Sequence, residues 1–204
     1  MKLASHDTMT YLKPKRWWLI PFHFMARCQS KTIEEQYEKY GIRYFDLRIS
    51  FNKEGYPEFR HGSMVFKGAD VLKVLEYLNN KNEGIQIRIL LEGNEATFKF
   101  KYLFNKDKIE KEKQRQIKLF QIFMLLCEST FTDLKFHCGR SKWDWKVIYE
   151  CKNPEPTLDQ KISSMTWKIF DDWYPYIYAR LMNHKNIKMG TDKDYLMIDF
   201  LHIQ

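Results

Sequence analysis

Along the chain, apolar and polar positions switch between two repeats, one suited to strands and one to helices. A short apolar run, Leu3-Ala4, stops at Ser5-His6-Asp7-Thr8, which reads as a strand whose carboxyl end delivers two titratable side chains. Ser30 to Tyr37 opens a helix. Ser30 or Thr32 can cap it, Glu34 and Glu35 fall in its first turn, and Ile33 and Tyr37 share a face until Gly41 stops it. Ile42 to Ile49 follows as a buried strand, with Phe45, Leu47 and Ile49 on one face and Tyr44, Asp46 and Arg48 on the other. A turn at Asn52-Lys53-Glu54-Gly55 returns the chain as a short strand from Pro57, ended by His61-Gly62.

Gly68 to Asn80 has the spacing of an amphipathic helix, with Val71, Leu72, Leu75 and Leu78 inward. Ile85 to Leu91 predicts another strand, ending in Glu92. The charge-dense stretch from Lys99 predicts a helix running to about Cys127 with a solvated Lys/Glu face. Leu134 to His137 and Lys146 to Glu150 predict strands around a turn at Gly139 to Lys142, and Asn153-Pro154-Glu155-Pro156 a loop. Trp167 to His184 has a helical pattern interrupted at Pro175, and Asp194 to Phe200 is a buried strand with Asp199 near its end.

This alternation predicts an α/β fold, a mainly parallel sheet wrapped by helices. Titratable residues at several strand ends favour a barrel, where chemistry collects at the carboxyl rim. The 204 residues make one domain, 1–204, and are short for eight strand–helix units, so the expected form is a distorted or incomplete TIM-type (β/α) barrel.

Composition narrows the class. Hydrophobic residues at 44% and charged residues at 29% suit a soluble globular chain, and no apolar run is long enough to cross a bilayer. Lys2-Leu3-Ala4 leads straight into the His-Asp turn, so no signal peptide is expected. The chain as given then reads as cytoplasmic, unless a leader has been removed. Cys28, Cys127, Cys138 and Cys151 lack zinc-type spacing and read as reduced core thiols. A net charge of +8 and a pI near 9.2 favour an anionic partner: a phospholipid surface, a phosphorylated substrate or nucleic acid. Interleaved acids through Lys99 to Lys118 and the lack of a recognition motif argue against nucleic acid. Lys13 to Phe22 places Trp17 and Trp18 among basic residues between two prolines, which fits either a membrane interface or a cap on the core.

Candidate chemistry sits at the strand ends. His6 can take up and return a proton near neutral pH, with Asp7 beside it to fix a tautomer. Asp46 and Arg48, two apart, make an ion pair facing one side. His61 lies 15 residues after Asp46, where a hairpin return brings it towards the same ends.

Ser5-His6-Asp7-Thr8, Gly41-Ile42-Arg43-Tyr44-Phe45-Asp46-Leu47-Arg48 and His61-Gly62, in that order, resemble the X-region of phosphatidylinositol-specific phospholipase C in its metal-independent bacterial form. The resemblance covers roughly residues 3–92, with a weaker echo at Tyr195 to Phe200. It implies a distorted barrel and a phosphodiester-cleaving site. By position, His6 matches the general base on the inositol 2-hydroxyl, His61 the general acid on the diacylglycerol oxygen, and Arg48 the phosphate clamp. Asp199 matches the carboxylate orienting the base, Asp7 the one supporting the acid, and Asp46 a further site aspartate. The first product implied is a cyclic inositol phosphate. Such chemistry needs a base, an acid opposite and a cation on the non-bridging oxygens, and no cofactor.

Calcium-dependent relatives carry an asparagine after the first histidine; Asp7 and the guanidinium of Arg48 argue against calcium, and no metal is expected. Ala4-Ser5 replaces the family's usual Gly-Thr, and Glu92 stands near where the bacterial enzymes have a headgroup lysine. Glu92, Arg140 and Lys142 are the remaining candidates for substrate contact. The expected partners are a phospholipid or other phosphodiester and, through Trp17 and Trp18, a membrane surface met peripherally by a monomer. Similar bacterial enzymes are often secreted. The rival readings are a glycerophosphodiesterase-type enzyme, whose usual His-Arg and Glu-x-Asp motifs this chain lacks, and a catalytically silent phosphate- or lipid-binding barrel.

Overall fold

The structure, a computed structural model, describes residues 2–92, 105–138, 149–163 and 175–203. Its strands are β1 (Lys2–Ser5), β2 (Lys13–Pro14), β3 (Tyr44–Phe51), β4 (Pro57–His61), β5 (Met64–Lys67), β6 (Gln86–Leu91), β7 (Lys135–His137), β8 (Leu158–Lys161) and β9 (Tyr195–Ile198). Its helices are α1 (His23–Ala26), α2 (Ile33–Glu38), α3 (Val71–Asn79), α4 (Lys106–Thr130) and α5 (Pro175–Met189), with 3-10 turns at Thr8–Tyr11 and Trp17–Phe22.

The strands lie in the order β8-β9-β1-β3-β6-β7, all parallel. At its far end β3 also pairs antiparallel with β4, which continues through β5 to β2. The mixed α/β class and the parallel sheet agree with the sequence pattern. Closure does not: among the described residues β7 and β8 pair with no common neighbour, so the sheet is open on that side. Strands of three and four residues there leave little ladder to join.

Local chemistry explains the elements. Thr32, not Ser30, caps α2: its hydroxyl accepts the Glu35 N–H while the Glu35 carboxylate accepts the Thr32 N–H. Asp70 caps α3 through the Lys73 N–H, and Val71, Val74, Leu75 and Leu78 form its buried stripe. Leu72, expected inward, is exposed because it lies one helical step off that stripe. The charge-rich helix runs over α4, ending beyond Cys127, and Asn105 caps it. The strand expected at Lys146 to Glu150 falls mostly outside the described residues, and Tyr149 and Glu150 are not in a strand. So does the amino-terminal part of the Trp167 to His184 helix; the described part begins at Pro175, where a missing N–H costs a first turn nothing.

The main core packs one face of the sheet (Phe45, Leu47, Ile49, Ile87, Ile89, Leu196, Ile198) against α2, α3 and α4. On the other face a smaller cluster of Ala4, Tyr44, Tyr195 and Met197 fills the amino-terminal half. The side chains two residues further along these strands are polar, and they make the site.

Two expectations are corrected. Cys138 and Cys151 are joined in a disulfide rather than reduced: the fold brings β7's end and the later loop together, with Cα atoms 5.9 Å apart across a separation of 13 residues. Cys28 and Cys127 remain free and buried. Trp17 and Trp18 are 75% and 52% exposed, so they do not cap the core.

Candidate active site

Strand register dictates which side chains meet. Ala4 pairs with Met197 and Ser5 with Ile198, so one step on His6 comes level with Asp199; the His6 N–H is donated to the Ile198 carbonyl. Ser5 also pairs with Phe45, which puts His6 beside Asp46. Asp46 lies opposite Arg88 of β6, and the ladder from Ile49–Leu91 carries on towards Glu92, whose N–H is donated to the Ile49 carbonyl. The β4 return sets His61 at the edge of the same cluster, where the Gly62 N–H is donated to Glu92 Oε1 at 3.0 Å.

Sharp turns follow the two acids' strands. Asp7 has φ 44° and Phe200, next to Asp199, has φ 46°, left-handed values that non-glycine residues adopt only when held. The Asp7 N–H is donated to Asp46 Oδ2 at 3.2 Å, and the Phe200 N–H to the Cys28 carbonyl at 2.7 Å.

Within this frame His6 Nδ1 is 2.6 Å from Asp199 Oδ1, and Arg48 Nη2 is 2.7 Å from His6 Nε2. Because a guanidinium only donates, Nε2 is the accepting nitrogen and Nδ1 carries the proton given to Asp199. The imidazole is thus neutral, with its lone pair directed at Arg48. Asp199 Oδ2 accepts the Ser163 N–H at 3.0 Å, fixing the carboxylate's other oxygen. Arg48 donates from Nε and Nη2 to Asp46 Oδ2, both at 3.2 Å, and lies 3.6 Å from Asp7 and 4.0 Å from Glu92. Asp7 Oδ2 pairs with His61 Nδ1.

Burial alone would push the Asp46 carboxyl up, but the guanidinium groups of Arg48 and Arg88 oppose it and hold it below its usual value. Burial would lower Arg48, and Asp46 and Glu92 reverse that. Burial pulls the His61 imidazole down, with Glu92 opposing. The same effect, reinforced by Asp199, pushes the Cys28 thiol well above its ordinary value.

The structure thus brings together His6, Asp7, Asp46, Arg48, His61, Glu92 and Asp199. Glu92 is buried, with the Gly62 N–H donated to its Oε1 and Arg48 4.0 Å from its Oε2. Arg140 and Lys142 lie outside the described residues. A separate cavity of about 680 Å³, lined by Lys2, Gln86, Lys135, His137 and Tyr195 among others, opens at the other end of the strands and touches none of the site residues.

Sequence reasoning missed the layer beneath. Gln29, fully buried, donates to the carbonyls of His6 and Ile198 and accepts the Leu201 N–H, tying β1 to β9 at the site. Thr10 Oγ1 accepts the N–H groups of Cys28 and Gln29 while donating to the Asp7 carbonyl. Gln36 holds Ser5 Oγ and the Thr8 carbonyl, and Asn183 the carbonyl of Asp199. Isolated amides and hydroxyls carry no motif: Gln29 stands in Arg27-Cys28-Gln29-Ser30 and Gln36 beside Glu35, with no pattern that marks either as buried. Cys28 is the other omission. Its sulfur lies within 4.8 Å of ligand atoms of His6 and Asp199, and likewise of Asp7 and His61.

No protein-family model matches the chain, and no curated protein matches it. Solved structures do. Phosphatidylinositol-specific phospholipase C from Listeria monocytogenes aligns over 98% of this chain and 87% of its own, with a TM-score of 0.51 and 14% identity. A double mutant of the Staphylococcus aureus enzyme gives a TM-score of 0.54 at 15% identity, covering 98% and 84%. Another S. aureus structure, concerned with modulation of membrane binding, gives 0.53 at 16%, covering 98% and 85%. At such identities the likeness speaks to backbone alone: this chain has an α/β fold similar to that of the bacterial phosphatidylinositol-specific phospholipases C.

Proposed function

We propose that this protein cleaves the phosphodiester of phosphatidylinositol-like lipids, releasing diacylglycerol and a cyclic inositol phosphate. The observation that carries the reading is the meeting of a neutral, Asp199-oriented His6, an Arg48 guanidinium and an Asp7-paired His61 at one end of the sheet.

In this mechanism the phosphate takes the place of His6 Nε2 and the carboxylates as partner of Arg48, whose charge meets the developing charge on the non-bridging oxygens. His6 Nε2, released from Arg48, accepts the proton of the substrate's own 2-hydroxyl as that oxygen attacks phosphorus. The proton at Nδ1 stays with Asp199, which stabilises the imidazolium that forms. His61, in the molecules where it is protonated beside Asp7, donates a proton to the departing diacylglycerol oxygen. Because burial pulls its imidazole down, that fraction shrinks as pH rises. Two imidazoles then exchange roles for any hydrolysis of the cyclic product.

The exposed Trp17, Trp18, Ile20, Phe22 and Phe24 form an apolar patch, with Arg16 over the Trp18 ring, in the segment that leads to Cys28. It serves as the contact with the lipid surface. The Cys138–Cys151 disulfide favours action in an oxidising compartment over the cytoplasm.

Phosphorus NMR on phosphatidylinositol and on a water-soluble inositol phosphodiester, with and without chelator, tests the reading. A cyclic product made in both conditions is expected, with turnover lost in His6→Ala and His61→Ala. No product from either substrate, or near-normal rates in either variant, would overturn it.

A further inference from the structure

Between the two histidine–aspartate pairs lies a thiol that phosphodiester cleavage does not use. Cys28 is 2% exposed, and its sulfur makes a long hydrogen bond, 3.8 Å, to the Ala26 carbonyl and a further one with Asp199. One ligand atom each of Asp7 and His61 lies within 4.8 Å of that sulfur, and Asp7 Oδ2 and His61 Nδ1 pair with each other with no other hydrogen-bond partner among the described residues. Asp7 is 2% exposed and His61 partly exposed, so an acceptor oxygen, an imidazole nitrogen and a sulfur converge at the edge of the site.

We propose that Cys28, Asp7 and His61 form a binding site for a thiophilic divalent cation of the zinc type, and that the bound ion holds the enzyme inactive. Thiolate, imidazole and carboxylate together are a donor set suited to tetrahedral Zn²⁺, with the fourth position taken by water. Asp7 and His61 separate from their direct contact to admit the ion, and the ligand bonds then fall at roughly 2.0–2.3 Å. Binding displaces the thiol proton to solvent, so two anionic ligands neutralise the ion. That answers the guanidinium of Arg48, 3.6 Å from Asp7: it faces a neutral complex rather than a dication. Calcium and magnesium, which take oxygen ligands, gain nothing from sulfur and keep the full repulsion. His6 and Asp199 lie within reach of the same sulfur but remain engaged with each other. The ion removes the nitrogen of His61 and the carboxylate of Asp7 from proton transfer.

The ion-binding part stands apart from the phosphodiesterase reading, and its test does too. Co²⁺ titrated into the full chain should bind once and give a thiolate-to-cobalt charge-transfer absorption. The band should survive Cys127→Ser and vanish in Cys28→Ser, with circular dichroism confirming that both variants fold. Competition by Zn²⁺ should show affinity falling at least about tenfold in His61→Ala and holding within threefold in His6→Ala. No band in the unmodified chain, a band persisting in Cys28→Ser, or the reverse order of the two histidine variants would overturn the assignment. Where turnover is measurable, Zn²⁺ should abolish it, chelator should restore it, and turnover that persists at saturating Zn²⁺ would overturn the inhibitory part.

Discussion

Arg48 touches three carboxylates at once, at 3.2 Å from Asp46, 3.6 Å from Asp7 and 4.0 Å from Glu92, as well as His6. A planar fork can span such a set and still present an edge to phosphate, whereas a lysine ammonium is a single point. Arg48→Lys should therefore lower kcat by at least about a hundredfold with its charge intact, read from initial rates on the soluble diester; a loss under threefold would remove Arg48 from its proposed role. Asp46 is also a stability residue. Its folded carboxyl is held below its ordinary 3.8, so the stabilisation is present above that value and is lost as pH falls through the still lower folded pKa. Urea melts across pH 2 to 5 should show a steep loss at the acid end that Asp46→Asn flattens. The residues of the cluster were legible because strand alternation put Tyr44, Asp46 and Arg48 on one face and because His-Asp and His-Gly ended strands. The supporting amides were not, since Gln29 acts through three backbone groups that no spacing relates to it.

Elements carry the second layer of the argument. The α2 capping box joins Thr32 to Glu35, and α2 bears Gln36, which holds Ser5 and Thr8 behind His6. Thr32→Ala should cost about 1 kcal/mol of unfolding free energy, measured by denaturant titration; no change in midpoint would mean that the packing of Ile33 and Tyr37 alone sets the helix start. The strands that went unforeseen, β2, β5 and β8, have two to four residues each, too few for alternation to register. The pairings of β2 with β5 and of β8 with β9 join distant parts of the chain, and such pairings are set by tertiary contact rather than by local pattern.

At the scale of the whole molecule, the parallel sheet and its chemistry-bearing end were readable, whereas its opening between β7 and β8 was not. Nothing local marks where a ladder stops. The exposed tryptophans belong to this scale as well: together with the net charge of +8 they carry the proposed contact with anionic lipid. Replacing Trp17 and Trp18 together by Ala should weaken partitioning onto phosphatidylinositol vesicles at least about tenfold, or 1.4 kcal/mol. Thermal unfolding should stay within about 0.5 kcal/mol, as at other surface sites. Equal vesicle binding by both proteins would assign the patch to some other contact.

The hydrogen bond from His6 to Asp199 spans 193 positions of sequence. The imidazole is made well before its carboxylate, and β9 must slot in beside β1 before the two can meet. Any form in which β9 has not yet docked consequently lacks the carboxylate that orients His6, and on the proposed mechanism it has no base poised to act.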